Sequence, residues 1–170
     1  PTFNEQAGQW ELLVTDSDEL NFEENNSFPL QIQASDGEET NTGFPTVSLS
    51  DVNEAPILEV PELEPIDANA IVQDFEQAQE NAEEGELIQI SVGETITISD
   101  PDVDQSVESL AITGGNDPDG NERNAFIINE FNELTVLNPQ ELTQDFTLSI
   151  TATDDSEDAL TSTSELTVPI

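Results

Sequence analysis

The chain has no cysteine, no histidine and no lysine, and its one basic residue is Arg123. Without thiols there is no disulfide framework and no thiolate metal site. Without His, Cys or Lys the usual nucleophile–base pairs have nothing to be built from. Paired carboxylates could still hydrolyse a glycoside, but the acidic residues gather at loop ends in metal-like spacing, and an enzyme is not expected. No apolar run approaches the roughly 20 residues of a membrane span, and no signal-peptide pattern opens the chain. Aromatic residues are few: one Trp, no Tyr and eight Phe, the latter expected mostly at core positions.

What is abundant is acid. Asp and Glu number 39, and the net charge is -38 on 170 residues. Nucleic acid and anionic membrane surfaces are repelled by such a chain. Leu, Ile, Val and Phe nevertheless supply 46 of the 170 residues, above the roughly 20% below which a core becomes implausible. Folding then requires that the charge be neutralised by divalent cations or screened by salt, whose Debye length falls to about 3 Å near 1 M. Either agent places the protein outside an ordinary cytosol.

The pivotal stretch is Asp51-Val52-Asn53-Glu54-Ala55-Pro56. It follows the alternating run Thr46 to Ser50 and closes on a proline that favours extended backbone before it, as a short stiff joint between two β domains does. Its carboxylate, amide and main-chain oxygens are the hard ligands that calcium selects. Upstream, Trp10 to Val14 reads as a strand, and Phe28, Leu30, Ile32 and Ala34 alternate on one face of a half-buried strand that ends at the turn Ser35-Asp36-Gly37.

The same series returns late in the chain. Phe146, Leu148, Ile150 and Ala152 lead to Asp154, matching Phe28 to Asp36 at a constant offset of 118. Leu166 to Val168 answers Val47 to Leu49, and Asn132 to Val136 answers Trp10 to Val14. Repeats of about 100 residues built from short strands indicate tandem β-sandwich domains. The expected organisation is therefore residues 1–50 as the C-terminal half of one domain, a linker at 51–56, and a complete domain at 57–170. The chain then reads as an excerpt of a longer polypeptide, unless another molecule completes the first half.

The second domain opens with strand Ile57 to Val60. Ala68, Ile71, Val72, Phe75, Ala78 and Ala82 then recur at helical spacing, which predicts a surface helix over Asp67 to Glu84, capped by Asp67 and stopped at Gly85. Strands are expected again at Leu87 to Ile90 and at Thr95 to Ile98. That last strand delivers Asp100-Pro101-Asp102-Val103-Asp104. Three alternating aspartates resemble an EF-hand opening, but Gln105 stands where that loop needs glycine and Ala111 where it needs glutamate. A calcium-binding loop at a strand end remains. Asp117 to Glu122 reads better as a turn than as a metal loop.

These pieces together resemble cadherin and bacterial cadherin-like repeats. Asp51 to Pro56 looks like the family's inter-domain Asp-x-Asn-Asp-Asn-x-Pro linker, Leu20-Asn21-Phe22-Glu23 like its Leu-Asp-Arg-Glu motif, and Asp100-Pro101-Asp102 like its Asp-x-Asp. Asp36 and Asp154 look like the aspartate that ends its penultimate strand. The resemblance implies an all-β chain of tandem Greek-key β-sandwich domains, cadherin-like and Ig-like, with one short helix inserted near the start of the second. It also implies a Ca2+ cluster held by Asn21 and Glu23, by Asp51, Asn53 and Glu54 of the linker, and by Asp100, Asp102 and Asp154. Asp104 is added by proximity alone. Glu141 and Asp36 would serve neighbouring joints. Asn21 replaces the family's aspartate, the linker is one residue short, and Glu80-Asn81 competes with the helix as the family's first strand, so fewer ions are expected than in a complete joint.

The implied function is a calcium-rigidified segment of a long, repetitive, extracellular bacterial surface protein, an adhesin or filament. Its partners would be neighbouring tandem domains, with lateral or end-to-end self-assembly and a glycan as further candidates. The alternative is a carbohydrate-binding or spacer module of a secreted halophilic or marine enzyme.

Overall fold

The computed structural model describes all residues except Gly85, and all side chains of those except that of Glu94. The chain divides into two compact units, Pro1–Val52 and Asn53–Ile170. The division falls inside the Asp51 to Pro56 stretch.

The first unit is three antiparallel strand pairs. β1 (Thr2–Asn4) pairs with β2 (Gln9–Glu11), β3 (Ser27–Pro29) with β6 (Thr46–Ser48), and β4 (Ile32–Ser35) with β5 (Thr40–Gly43). None of its residues is buried. That corrects two sequence expectations. The strand at Trp10 to Val14 stops at Glu11, and Leu12, Leu13 and Val14 are exposed. The alternating run Phe28 to Ala34 is two strands, broken where Pro29 has no N–H and Leu30 N–H donates to the Pro45 carbonyl at 2.8 Å. Its face is covered at Phe28 and Leu30 only in part, and Ile32 and Ala34 are exposed.

The turn after β4 forms as its residues dictate. Asp36 Oδ1 accepts the Glu38 and Glu39 N–H groups, and Gly37 takes the left-handed backbone at φ +98°. These bonds, that from Glu39 foremost, hold the Asp36 carboxyl below the usual carboxylate range.

The second unit is a β-sandwich. β7 (Ile57–Glu59) pairs with β9 (Thr97–Ser99), β8 (Ile90–Thr95) with β12 (Glu133–Val136), and β12 also with β11 (Phe126–Ile128). The facing sheet has β13 (Phe146–Asp154) at its centre, between β10 (Val107–Gly114) and β14 (Thr161–Val168). Here the period-2 pattern buries what it predicts: Phe146, Leu148, Ile150, Ala152, Leu166 and Val168 are all at or below 2% exposure. Across from them lie Phe126, Leu134, Val136 and Ile96, and Phe126 meets Phe146 edge-on at 5.0 Å. Such a pair adds about 0.5–1.5 kcal/mol beyond its buried area. The other six Phe are half-buried or exposed, against the expectation that most fill the core.

The predicted helix is present as α1 (Ala68–Asn81), ending three residues earlier than its pattern suggests, with extended backbone at Ala82. Asp67 caps it by accepting the Asn69 and Ala70 N–H groups, and Ala68 and Ile71 pack on the core. The competing strand reading at Glu80-Asn81 is overturned, since both residues are helical and exposed. Gly85, the predicted stop, lies outside the described residues. The strand expected at Leu87 to Ile90 begins only at Ile90. Among the described residues no helix is long and apolar enough to cross a membrane.

Candidate metal centre

Strand register brings three separate stretches to one end of the second unit. Ile57 pairs with Ser99, so residues 53–56 leave the sheet where Asp100 to Ser106 begin. Val107 pairs with Asp154, so the far end of that loop meets the end of β13. A reciprocal clamp seals the junction. Asp155 N–H donates to the Ser106 carbonyl at 2.9 Å, while Ser106 N–H and Oγ donate to the two Asp155 carboxylate oxygens at 3.0 and 2.7 Å. Those bonds, the backbone one foremost, hold the Asp155 carboxyl below its ordinary range.

Inside this end, Asp154 is wholly buried. Burial opposes its charge, but the combined hydrogen bonds outweigh that and its carboxyl stays below the usual range. Oδ1 accepts Ser156 Oγ–H at 2.7 Å and the Ser156 and Leu160 N–H groups. Oδ2 accepts the Asn53 side-chain amide at 3.0 Å, which also donates to Ser156 Oγ. Asn53 is thereby fixed with its amide nitrogen toward Asp154, and its carbonyl oxygen left over.

The Asp100 loop repeats that logic twice. Asp100 Oδ1 accepts the Asp102 N–H at 3.0 Å, and Asp102 Oδ2 accepts the Glu54 N–H at 2.9 Å. One oxygen of each carboxylate is anchored by backbone and the other is not. Asp102 is only 4% exposed. Among the described residues, the buried side-chain polar atoms without a hydrogen-bond partner are Asn53 Oδ1, Asp100 Oδ2, Asp102 Oδ1 and Gln105 Oε1. All four are acceptors; hydrogen bonds link Asp100, Asp102 and Gln105 to one another, and Asn53 separately to Asp154 and Ser156.

A buried acceptor without a donor costs about 1–3 kcal/mol, and a buried carboxylate without a counter-charge costs more. No side-chain cation is at hand, because Arg123 pairs with Glu141 at 3.3 Å. Hard oxygens of this kind, two of the four anionic, are the donors that a divalent cation with oxygen preference takes, and calcium accepts such mixed carboxylate and amide sets.

Of the residues expected as ligands, Asn53, Asp100, Asp102 and Asp154 are brought together here. Glu54 donates its backbone N–H to Asp102, and a carboxylate oxygen of its exposed side chain lies within 4.8 Å of one of Asp102. Asp104, named for proximity, is exposed. In the first unit Asp51 is exposed, Glu23 is half-buried in a turn, and Asn21 closes that turn by accepting the Glu24 N–H at 2.8 Å. Sequence reasoning missed Ser156, Ser106 and Gln105, all neutral. A serine two residues beyond the strand-ending aspartate is the one faint signal, since such pairs form local turns.

Asp117 to Glu122 is a turn, as its residues suggest, with the Asp117 carboxylate accepting the Asn121 and Glu122 N–H groups.

Neither a protein-family profile nor a curated protein matches the sequence. Solved structures match in fold. Protocadherin Gamma B2 extracellular cadherin domains 3–6 align over 89% of this chain and 32% of their own length, with TM-score 0.53 and 16% identity. Protocadherin Gamma B2 extracellular cadherin domains 1–5 align over 89% of this chain and 26% of theirs, with TM-score 0.51 and 16% identity. The chain thus spans a quarter to a third of the length of these structures.

Proposed function

From a cadherin-like fold, we propose that this chain is a calcium-rigidified segment of tandem domains in a long extracellular bacterial surface protein, an adhesin or filament. The observation that supports it most is the set of four buried, donorless oxygens on Asn53, Asp100, Asp102 and Gln105, in a protein whose one cationic side chain is paired elsewhere. Asp100 and Asp102 supply the charge of the shell and Asn53 a neutral oxygen oriented by Asp154. Asn21, Glu23, Asp51 and Glu54 complete it in the proposal, by likeness to the family's motifs. A bound calcium supplies the positive charge that these oxygens lack.

The mechanical consequence follows from electrostatics. Two carboxylates 4 Å apart oppose each other by about 1 kcal/mol in water and by more where solvent is excluded. Without the ion the linker carboxylates repel; with it they share a ligand, and the joint stiffens. Tandem repetition then gives an extended rod, and a net charge of -38 suits saline water, where salt screens the remainder.

The test is a calcium titration of the chain in 1 M NaCl, read by calorimetry and thermal unfolding. Calcium at about 100 times its dissociation constant should add roughly 2.7 kcal/mol of stability, and Asp100→Ala with Asp102→Ala should remove both heat and shift. An unchanged melting curve in the unmodified chain would sink the proposal.

One observation favours the alternative of a carbohydrate-binding module. Trp10 is 70% exposed and meets the half-exposed Phe3 edge-on at 5.4 Å. A glycan stacked there would change Trp10 fluorescence; on the adhesin reading, titration with soluble polysaccharides leaves that emission unaltered.

A further inference from the structure

We infer that Gln105 is a direct ligand of the cation, a role that none of the cadherin motifs in this chain assigns. The inference rests on the calcium reading above and specifies its ligand set. The sequence offered Asp104 as the loop's third oxygen donor, but the fold exposes Asp104 and turns its neighbour inward. Gln105 N–H donates to the Asp102 carbonyl at 3.2 Å, closing a turn that folds residue 105 back over the buried Asp102. The next residue, Ser106, is pinned by three hydrogen bonds to Asp155, so Gln105 is held from both sides. Its Oε1 is buried and meets no donor, as do the free oxygens of Asp100, Asp102 and Asn53.

Gln105 Oε1 and Asp102 Oδ1 thus show one signature: a buried acceptor, on a residue fixed by other bonds, with nothing of the protein to accept from. An amide here is a neutral ligand. It adds an oxygen ligand without adding charge to a shell that already takes Asp100 and Asp102 and, in the proposal, the carboxylates of Glu23, Asp51 and Glu54.

Terbium, a luminescent calcium mimic, tests this on the full chain in 1 M NaCl. Its lifetimes in H2O and D2O count coordinated waters, and displacement by calcium gives the affinity. The probe should bind and be displaced. Gln105→Ala, and Gln105→Met which keeps the side-chain length, should each admit additional water to the ion and weaken calcium about tenfold, as for a supporting residue lost from a metal site. Gln105→Glu should raise the preference for terbium over calcium, and Asp104→Asn should change neither readout. The ion-free melting temperatures of the Gln105 variants should not fall below that of the unmodified chain, because the amide oxygen meets no donor there, whereas a merely structural role would lower them. If Asp102→Asn weakens binding while Gln105→Ala and Gln105→Met leave hydration and affinity unchanged, the inference falls and the calcium reading stands. If Asp102→Asn also leaves them unchanged, the calcium reading falls and Gln105 with it.

Discussion

At the residue scale, the site is made by dividing the atoms of each side chain between two tasks. Asp100, Asp102 and Asn53 each use one polar atom to fix the side chain against the protein and leave a buried oxygen without a donor. Asp155 does the opposite, committing both oxygens to Ser106 and binding nothing else. Its depressed pKa gives a signed prediction. A carboxyl whose folded pKa lies below its unfolded value of 3.8 adds stability above that value and loses it as pH falls through the lower, folded one. In chelator at fixed salt, the melting-temperature gap between the unmodified chain and Asp155→Asn should be constant from pH 7 to about 5 and shrink below about 4. Taking the difference removes the general relief of charge repulsion on acidification, which both proteins share. A gap undiminished at pH 3 relative to pH 7 would show that Ser106 is not held through the charged form. The aspartates of the candidate site stood out in the sequence because they fall at alternate positions just after a strand. Gln105, Ser106 and Ser156 did not, because a neutral polar residue in a loop is the commonest occupant of any turn.

At the element scale, period-2 alternation reported which side chains could be buried rather than which ones are. Phe146 to Ala152 and Phe28 to Ala34 carry the same pattern, yet β13 lies between β10 and β14 under an opposing sheet, while β3 and β4 belong to a unit with no buried residue. The cover over a strand is non-local and does not appear in its own residues. The helix was legible for the contrary reason: Asp67 and the apolar spacing that follows act within a turn or two. The two register shifts between β10 and β13, at Val107/Ser109 and Ile112/Gly114, were invisible in the sequence. Just past the second, Gly115 takes φ +75°, and a Cβ there would run into the Thr147 carbonyl of β13. Gly115→Ala should therefore destabilise by more than the roughly 1 kcal/mol of an ordinary left-handed glycine, whereas Gly120→Ala, at φ +73° with open space around it, should lose only about that much. Urea unfolding of the two variants compares them; equal losses would mean that the backbone contact across the bulge carries no weight. Ile150→Ala in the middle of β13 sets the scale, at about 2–5 kcal/mol.

At the scale of the whole molecule, charge decides the conditions under which any of this matters. With 39 carboxylates and one guanidinium, self-repulsion opposes compactness at low ionic strength, and non-specific screening relieves it without any bound ion. A calcium effect is therefore meaningful only at constant, high salt. The same strand series is written twice in the sequence, at an offset of 118. Which of the paired segments packs into a sandwich was not legible, since both copies carry the same strand signals. The central claim is that one cluster of acidic and amide oxygens converts a hinge into a rod, and small-angle scattering of the chain in 1 M NaCl, with calcium and then with chelator, measures that directly. Calcium should lengthen and narrow the distance distribution, with Asp100→Ala plus Asp102→Ala locking the chelated profile in place; superimposable profiles in calcium and chelator would contradict the account and leave the acidic residues as a solvated saline surface.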